Sequence, residues 1–510
     1  MTSSSALPRK LFILAIILPI AALVGYLLAE PDQKESLAII GIVIGFMVLP
    51  WVLKWHHPIL VLVWNASVIV FFLPGSPYLW MLFSVISLGL TVLNRFLDPN
   101  FRPINVASLT WIMLILGAVV VVTAQMTGGV GIRSLGGGVY GGKKYYEIWF
   151  AILGYFAMSS RRIEPKHTTL LSAGYFASGF TTAFSTLAYV AGPAAWFLYA
   201  IFPTDYAMHL VSRDFGNDPF AGSSISRWSG FSVAGLALLP LFYIRYGVKG
   251  LLEWNKPWRM AAFILVLGVS LMGGFRSTLA LSGLVFLVQF WNEGLHKTRI
   301  FPMLIGASII GFAVLFPIAN KLPLSIQRSL SAIPFLPVNK AARSDAQDST
   351  KWRKDMWKQV DLEIPQHFWL GKGLTASERA YYLANEAVRN GMAQDFEIMI
   401  LGGEYHSGWR SVMIPFGIWG MLAFVAFLWL GLRVLWRNRN KGTGYLQRTN
   451  LFLLSFFIAK IFFYFVAFGA FASELCTFTG LLGLSVSLNG GADAPAPRSN
   501  DDSRSPQPST

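Results

Sequence analysis

The side chains best suited to chemistry are one histidine and three arginines in the second half of the chain. His406 lies two residues after Glu404 and just before an apolar stretch begins. Histidine suits general-base work because its ordinary pKa of about 6.5 lies close to physiological pH. A histidine at the start of a helix is more often a capping or interface residue, so position alone leaves both roles open.

The three arginines are Arg227 in SRWSGF, Arg276 in GGFRST and Arg353 in KWRKDMWKQV. The first two adjoin apolar segments, and arginine at membrane depth is costly unless it has a partner or a function. Guanidinium groups bind phosphate in a bidentate manner and keep their charge at physiological pH. Three arginines and a histidine on one membrane face therefore predict a site for a pyrophosphate group.

Other chemistries lack their usual sequence signals. The chain contains no HExxH, no GxxxxGK[ST] and no GxSxG, and the polar loops show no paired aspartates typical of a metal site. The single cysteine, Cys476, lies in an apolar segment and leaves no intrachain disulfide to form. We therefore expect a site that uses no metal ion and no cofactor.

Composition indicates whether these residues belong to a soluble protein or to a membrane protein. Hydrophobic residues make up 54% of the 510 positions and charged residues 13%, whereas soluble proteins carry about a quarter charged residues. Apolar runs of roughly 17–25 residues recur, each long enough to cross a bilayer core of about 30 Å. The fold class predicted is an all-α polytopic integral membrane protein. The net charge of +16 lies largely in short loops, so we expect no nucleic-acid partner.

The pattern predicts about 12–14 transmembrane helices. One stretch, 168–201, is too long for a single crossing and is expected to break at Gly192-Pro193, because proline removes a helix hydrogen bond. The predicted spans are 11–29, 37–53, 59–73, 78–93, 105–124, 146–158, 168–201, 230–246, 259–273, 277–291, 301–318, 411–435, 450–467 and 470–488.

The distribution of lysine and arginine predicts that both termini are cytoplasmic. Residues 1–319 then hold spans one to eleven, and residues 320–410 form a large outward-facing helical loop between the eleventh and twelfth spans. Residues 411–488 hold the last three spans. Residues 489–510, rich in proline, serine and aspartate, are expected to be a disordered cytoplasmic tail.

The outward loop is expected to contain two helices. The first starts at a cap on Asp348 or Ser349 and ends before Pro365, and the second covers 376–389 behind a cap on Thr375. In the first helix Arg353 falls within the apolar arc, where it either pairs with an aspartate such as Asp345 or Asp348, or meets an anion. That apolar arc consists of Trp352, Met356, Trp357 and Val360.

Two further charged residues lie inside predicted spans. Lys460 is in the middle of LFLLSFFIAKIFFYF, and Glu474 is near the start of the next span. We expect them to form a structural ion pair, with a position along a substrate groove as the alternative.

Four short motifs occur in a defined order between residues 220 and 435. Arg227-x-x-Gly230 precedes a span, and Phe275-Arg276-Ser277 forms a turn between two spans. Next come Arg353-x-x-x-Trp357 and Gly371-x-Gly373 in the loop, then His406-Ser407 ahead of Gly417-x-x-Gly420. This order resembles the O-antigen ligase and O-antigen polymerase superfamily of bacterial envelope glycan enzymes, in which asparagine usually stands in place of Ser407.

The resemblance implies a metal-independent, inverting glycosyl transfer at the outer face of the bacterial cytoplasmic (inner) membrane. The donor would be a glycan on undecaprenyl pyrophosphate, held beside membrane lipid, and the acceptor a sugar hydroxyl of a glycan, lipid or protein acceptor. His406 would deprotonate the acceptor, while Arg276 and Arg353 would hold the pyrophosphate. The expected substrate-binding residues are Arg227, Trp357, Glu404 and Arg410.

Three functions remain open on the sequence. The first is this glycosyltransferase, as ligase or as polymerase. The second is a transporter or flippase for lipid-linked glycans that performs no chemistry, which predicts ionisable residues along a path through the membrane. The third is a membrane scaffold whose outer loop binds glycan or protein, in which case His406 would be dispensable.

Overall fold

The computed structural model describes residue 25 and residues 34–129, 139–204, 225, 227–390, 392–394 and 396–492. The predicted first span, 11–29, lies outside the described residues apart from residue 25, as does the predicted tail from residue 493 onwards. The chain is all-α and 75% helical. Its only described sheet joins two short antiparallel strands, β1 (Val139–Tyr140) and β2 (Ala376–Ser377).

The α-helices are numbered in chain order over the described residues. Short 3-10 turns extend or link several of them, as at Ser178–Thr182 and Pro193–Ala200. The α-helices are α1 (Lys34–Val63), α2 (Leu79–Leu97), α3 (Ala107–Met126), α4 (Gly142–Ser159), α5 (Thr168–Ala177), α6 (Ala183–Ala191), α7 (Ser229–Leu251), α8 (Pro257–Leu271), α9 (Arg276–Asn292), α10 (Ile300–Ile318), α11 (Leu324–Leu330), α12 (Lys340–Asp361), α13 (Glu378–Arg389), α14 (Phe396–Leu401), α15 (Arg410–Asn438), α16 (Gly444–Val466) and α17 (Phe471–Asn489).

Seven helices within the described ranges are long and apolar enough to cross a membrane: α2, α3, α7, α10 with its 3-10 extension, α15, α16 and α17. They are 19 to 29 residues long, which at about 1.5 Å per residue covers a hydrocarbon core of about 30 Å. Shorter apolar helical stretches occur at Met47–Val63 and in α8. These helices therefore support the prediction of a helical membrane protein.

The N-terminal region differs from the prediction. The spans expected at 37–53 and 59–73 are instead one continuous helix, α1, which retains Pro50 and Pro58 and ends at Val63. Residues beyond it are extended or turn, with Ile69 bridged to Tyr78. The prediction of a separate span at 59–73 was wrong, because proline in apolar helices is tolerated where neighbouring groups satisfy the freed carbonyls.

The break predicted at Gly192-Pro193 is confirmed. Helix α6 ends at Ala191, Gly192 has a φ of 75°, and a 3-10 segment starts at Pro193. A positive φ is readily adopted by glycine, and proline lacks the N–H that would continue the helix. The long apolar stretch 168–201 is thus divided into short pieces.

The helices pack around one extended apolar core. Helix α4 packs against both α2 and α17, while α15 packs against α3, α16 and α17. Helix α16 also packs against α7 and α9. The buried aromatic rings of Phe424, Phe427, Phe452, Phe457 and Phe478 lie in this core. Helix α16 thus packs against α7, α9 and α15, and the sites described below lie at the ends of these four helices.

The polar segment after α10 is helical, but its helix boundaries differ from the prediction. Helix α12 starts at Lys340 behind Asn339, whose side chain accepts a hydrogen bond from Ala341 N at 2.8 Å. Asp348 and Ser349 therefore lie inside the helix and do not cap it. Helix α13 is capped by Ser377, which accepts from Ala380 N at 3.2 Å, and not by Thr375. In both cases a nearby asparagine or serine was the better-placed N-cap acceptor.

The predicted apolar face of α12 is confirmed. Met356 and Val360 are fully buried, and the rings of Trp352 and Trp357 pack against the same small cluster. This cluster also contains Ile414 from the first turn of α15. It attaches α12 to the end of the membrane helix that follows His406.

A glycine turn attaches the polar segment to a kink in α15. Pro415 and Gly417 interrupt that helix, and Gly417 has a non-helical φ of 61° and ψ of −163°. The carbonyl of Pro415 accepts a hydrogen bond from Gly373 N at 3.0 Å, and Ile414 O accepts from Lys372 N at 2.9 Å. Two of the sequence motifs, Gly371-x-Gly373 and Gly417, therefore meet at one joint.

Candidate functional site

A cavity of about 660 Å³ lies where α12 crosses the ends of the membrane helices. It is formed by the first turns of α7 and α9, one face of α12, His406 in the segment before α15, and Phe468 just after α16. The side chains that carry charge or can titrate are Arg227, Asp345, Asp348, Arg353 and His406, and the others include Ser232, Phe275, Thr278, Ser349, Trp352 and Phe468. Three of the predicted site residues, His406, Arg353 and Arg227, therefore share one cavity.

His406 presents its ring to this cavity from a strained backbone. Its φ of 47° lies in the left-handed region, which non-glycine residues rarely adopt. The imidazole lies between two aromatic rings, with centroid distances of 5.5 Å to Trp352 and 5.4 Å to Phe468. Among the described residues, neither ring nitrogen has a hydrogen-bond partner. Both nitrogens remain available for a ligand.

The surroundings of His406 favour its neutral form. Burial and then the positive charge of Arg353 lower the pKa of His406 below its ordinary value of 6.5, while the nearby carboxylate of Glu404 raises it and Lys144 lowers it. The net direction is downward. A neutral imidazole has a free lone pair, and it is this form that can accept a proton at neutral pH.

Arg353 is the half-buried cation that faces His406 across the cavity. Its guanidinium lies 5.7 Å from the ring centroid of Phe468, the ring that also packs on His406. Over the described part of the chain, no hydrogen bond or ion pair engages this guanidinium, so the alternative of a pair with Asp345 or Asp348 is not observed. Burial and the charges of Arg276, Arg328 and Arg227 lower the pKa of Arg353. The guanidinium of Arg353 is therefore available to bind an anion.

Asp345 is occupied by two other arginines. Its carboxylate accepts hydrogen bonds from Arg227 Nη2 at 3.1 and 3.3 Å. It also forms an ion pair with Arg328, which is 4% exposed and donates further to Gly274 O and to Ser349 Oγ. The network joins α11 and α12 to the turn before α9. One carboxylate thus serves two guanidinium groups, and the cluster retains excess positive charge.

Arg276 does not line the cavity that contains His406. Its guanidinium donates to Ala346 O and to Thr350 Oγ1, both at 2.7 Å, and lines a neighbouring cavity with Lys351 and Lys354. The expectation that Arg276 shares a cavity with Arg353 and His406 is therefore corrected, because α12 supplies hydrogen-bond acceptors that hold the side chain on its other face. Its charge still acts on Arg353.

The other expected substrate-binding residues have structural partners outside the cavity. Arg410 forms a bidentate pair with Asp361 at 2.6 and 2.8 Å and stacks on Trp357 at 4.8 Å. Trp357 donates to Tyr405 O at 2.8 Å, and Glu404 is exposed and lies 3.1 Å from Lys144 Nζ. Arg410 and Trp357 hold the backbone on either side of His406. These two residues therefore affect the site by fixing the position of His406.

A second cavity, of about 250 Å³ and mostly apolar, lies deeper in the bundle. It shares Val233 and Leu236 of α7 with the cavity that contains His406. Its remaining walls come from α9, α16, α17 and the residues around Phe176, and include Tyr243, Phe452 and Lys460. A charged cavity at the ends of the helices thus adjoins an apolar cavity deeper in the helix bundle.

Sequence reasoning missed two contributors to the site. Arg328 lies in α11, a short helix in which no apolar periodicity draws attention to it, and Phe468 follows a span in which phenylalanine is common. The sequence shows Arg328 only as one arginine between two polar residues in Gln327-Arg328-Ser329, and its burial appears only in the structure. Within the described ranges, no three His, Cys, Asp or Glu side chains are grouped closely enough to hold a metal ion.

Comparison of the chain with protein-family models found no match, and a search of curated proteins found none either.

Proposed function

We propose that this chain is an inverting glycosyltransferase similar to the O-antigen ligases and polymerases, which moves a glycan from undecaprenyl pyrophosphate to an acceptor sugar hydroxyl. The observation that carries the proposal is the shared cavity. It contains an imidazole kept neutral by its surroundings and a half-buried guanidinium that no described residue neutralises. A proton acceptor beside an unfilled anion site is what such a transfer requires.

In the proposed reaction, a ring nitrogen of His406 takes the proton of the acceptor hydroxyl. The hydroxyl oxygen forms the new bond to the anomeric carbon of the donor sugar, on the face opposite the leaving group, so configuration inverts. The bond from that carbon to the pyrophosphate oxygen breaks, and its electron pair leaves with the lipid pyrophosphate. The leaving group departs as an anion, so fixed cations stabilise the developing charge and no general acid is needed.

Arg353 is the residue proposed to bind the pyrophosphate directly. It lines the cavity and lacks a partner in the described structure, whereas Arg227 and Arg328 are engaged by Asp345. Arg227 also lines the cavity and is proposed to assist. Arg276 contributes its positive charge from the neighbouring cavity and fixes α12 through its two hydrogen bonds. Preorganised cations of this kind need no rearrangement as charge develops.

The adjoining apolar cavity supports a lipid-linked donor. Val233 and Leu236 line both cavities, so a substrate with a phosphate head and a hydrocarbon tail would meet guanidinium groups at one end and apolar walls at the other. A soluble sugar nucleotide has no part that would fill the apolar cavity. Burying hydrocarbon stabilises such a complex by about 0.8 kcal/mol per methylene group.

The proposal includes a membrane topology. The chain crosses the bacterial cytoplasmic membrane about 12–14 times, with both termini cytoplasmic and the segment 320–410 outside. Lysine and arginine in the short loops support this orientation. The cavity with His406 would then open to the outer face, where lipid-linked glycans are presented.

A flippase for lipid-linked glycans is the second candidate, favoured by one observation. Lys460 lines the apolar cavity at membrane depth, and ionisable residues along a membrane path are typical of transporters. Its ammonium group is bound to Glu474, however, with Nζ 2.7 Å from both carboxylate oxygens. That pairing supports a structural role.

Transfer by the purified protein tests the proposal. The assay supplies lipid-pyrophosphate-linked glycan and candidate acceptors, and the products are identified by mass spectrometry. We expect transfer by the wild-type chain, inversion at the anomeric carbon, and strong loss in His406→Ala. His367→Ala, in the same polar segment but outside the cavity, is the matched control. Movement of the donor across vesicles without any transfer product would favour the flippase instead.

A further inference from the structure

A cavity of about 970 Å³, lined by both charged and apolar side chains, lies at the end of the bundle opposite His406. It is lined by the last turns of α7 and α9, the residues after α15, the first turns of α16 and one face of α10. The cavity with His406 is lined by the other ends of α7 and α9 and by residues that flank α15 and α16 at that end. Since α7 has 23 residues and is about 35 Å long, the two cavities face opposite membrane surfaces.

Three cations line this cavity without a carboxylate partner among the described residues: Lys249, Arg439 and Arg448. The guanidinium of Arg439 stacks on Trp436 at 3.4 Å, and its Nη1 atom is buried without a hydrogen-bond partner. Arg448 donates one hydrogen bond, from Nε to Ile244 O at 3.3 Å. Three cationic side chains therefore lie in one partly enclosed space.

The two carboxylates of the cavity are committed elsewhere. Helix α7 kinks at Gly247, which has a φ of 64°, and the kink leaves backbone N–H groups without a helical acceptor. The carboxylate of Glu293 accepts hydrogen bonds from two of them, Val248 N at 2.8 Å and Lys249 N at 2.9 Å. Glu253 pairs with Arg259 at 2.7 Å. Neither carboxylate forms an ion pair with the three cations, and the charges that line the cavity, with Glu253 paired to Arg259, remain net positive.

The remaining wall of the cavity is apolar and comes from α10. Helix α10 has no buried residue over its described length, although it is among the most apolar helices of the chain. Its Met303, Leu304 and Ala307 line the cavity, so the space lies between α10 and the rest of the bundle. Trp254 lines the same cavity and is 80% exposed, as is typical of tryptophan at a membrane interface.

We propose that this cavity binds one anionic phospholipid. The phosphate lies among Lys249, Arg439 and Arg448, and the acyl chains fill the gap between α10 and the bundle. A basic pocket between membrane helices on the cytoplasmic side is a known type of anionic-lipid site, and each Lys or Arg near an anionic headgroup contributes about 1 kcal/mol. The acyl chains would pack against α10, which has no buried residue over its described length. This inference is independent of the transfer reaction.

Native mass spectrometry of the full-length protein in detergent tests it. The probes are phosphatidylglycerol, phosphatidylcholine with the same acyl chains, and inorganic phosphate. The variants are the double change Lys249→Gln with Arg448→Gln, and Ala307→Phe, which fills the gap without altering charge. Arg299→Gln is the control, because Arg299 is an exposed cation next to α10 that does not line the cavity.

We expect one phosphatidylglycerol to be retained by the wild-type chain in preference to phosphatidylcholine. Affinity for phosphatidylglycerol should fall about fivefold for each charge removed. It should fall in Ala307→Phe as well and stay unchanged in Arg299→Gln, with all variants eluting as folded protein. Equal retention of both lipids would overturn the inference. So would equal binding by the double variant and Arg299→Gln, or inorganic phosphate binding as tightly as phosphatidylglycerol.

Discussion

The imidazole of His406 packs against the ring of Phe468, with the two ring centroids 5.4 Å apart. The first residue precedes α15 and the second follows α16, so the contact closes one side of the cavity at the ends of two packed membrane helices. Arg353 lies over the same phenylalanine ring. One apolar ring thus positions both the proposed base and the proposed anion-binding cation.

The proposed base predicts a large loss of transfer in His406→Ala and in His406→Gln, which keeps a polar side chain but cannot take up a proton. General-base catalysis contributes about 10²- to 10⁴-fold, and we expect a loss of that order in kcat with either change. Steady-state transfer assays measure it. Wild-type rates in His406→Gln would remove the histidine from the chemistry.

The pH dependence gives a second, independent measurement. Burial and Arg353 lower the pKa of His406 below 6.5, so the imidazole stays neutral, and active as a base, as pH falls to 6.5. We expect kcat/KM to decline only below that value, on the acid side. In Arg353→Gln the nearby positive charge is gone, so the midpoint should move upward, towards 6.5. An acid limb that does not respond to Arg353→Gln would contradict the proposed proximity.

The anion site predicts that Arg353→Ala loses about 10²- to 10³-fold in kcat, as when one fixed donor to a developing anion is removed. Arg353→Lys should recover part of that loss, because lysine keeps the charge but not the bidentate geometry. Lys340→Ala is the control, since it removes an exposed cation of the same helix away from the cavity. If both alanine variants behave alike, general surface charge explains the effect.

The arginine network predicts a stability effect at Asp345. In Asp345→Asn the buried Arg328 loses its charge partner, and leaving a buried charged group less well satisfied costs about 1–3 kcal/mol. Thermal unfolding in detergent should show a lower Tm than wild type. Asp348→Asn changes an exposed carboxylate in the same cavity and should leave Tm unchanged. Equal Tm values for the two variants would show that Arg328 is held by its neutral acceptors alone.

The membrane helices could be predicted from the sequence because apolar length is a local property. The span predicted at 230–246 is α7, Ser229–Leu251, and the span predicted at 470–488 is α17, Phe471–Asn489. The end of α1 was not predictable in this way. Whether Pro58 breaks a helix depends on what satisfies the freed carbonyl groups, which is not a local property of the sequence.

The site was predictable only in part. The predicted topology indicated that Arg227, Arg276, Arg353 and His406 lie on one face. Arg227, Arg353 and His406 line one cavity, whereas Arg276 lines a neighbouring one. Which arginine is engaged by which carboxylate depends on long-range contacts. Asp345 binds Arg227, 118 positions away, and no local pattern distinguishes that pair from one between Asp345 and Arg353.

The contact between the Gly371–Gly373 turn and the kink of α15 predicts that adding a single methyl group there has a strong effect. A Cβ at Gly371 would lie 2.1 Å from Pro415 O, and the φ of 73° is unfavourable for alanine. Gly371→Ala should therefore lower both Tm and transfer, with faster hydrogen exchange around residues 362–375. Gly283→Ala, in α9 with open space around it, should retain both. Unchanged exchange in Gly371→Ala would mean that the joint does not hold the polar segment.

The buried pair of Lys460 and Glu474 distinguishes the transferase from the flippase. Each residue is 8% exposed, and removing one partner of a buried pair costs about 3–5 kcal/mol because the other is left uncompensated. Lys460→Met and Glu474→Leu should each lower Tm, and the double variant should recover most of the loss. In a transferase the recovered double variant retains transfer, since neither residue contacts the reacting groups. In a flippase that uses these charges, stability would return in the double variant while transport stays lost, so measuring Tm together with both activities decides between the two functions.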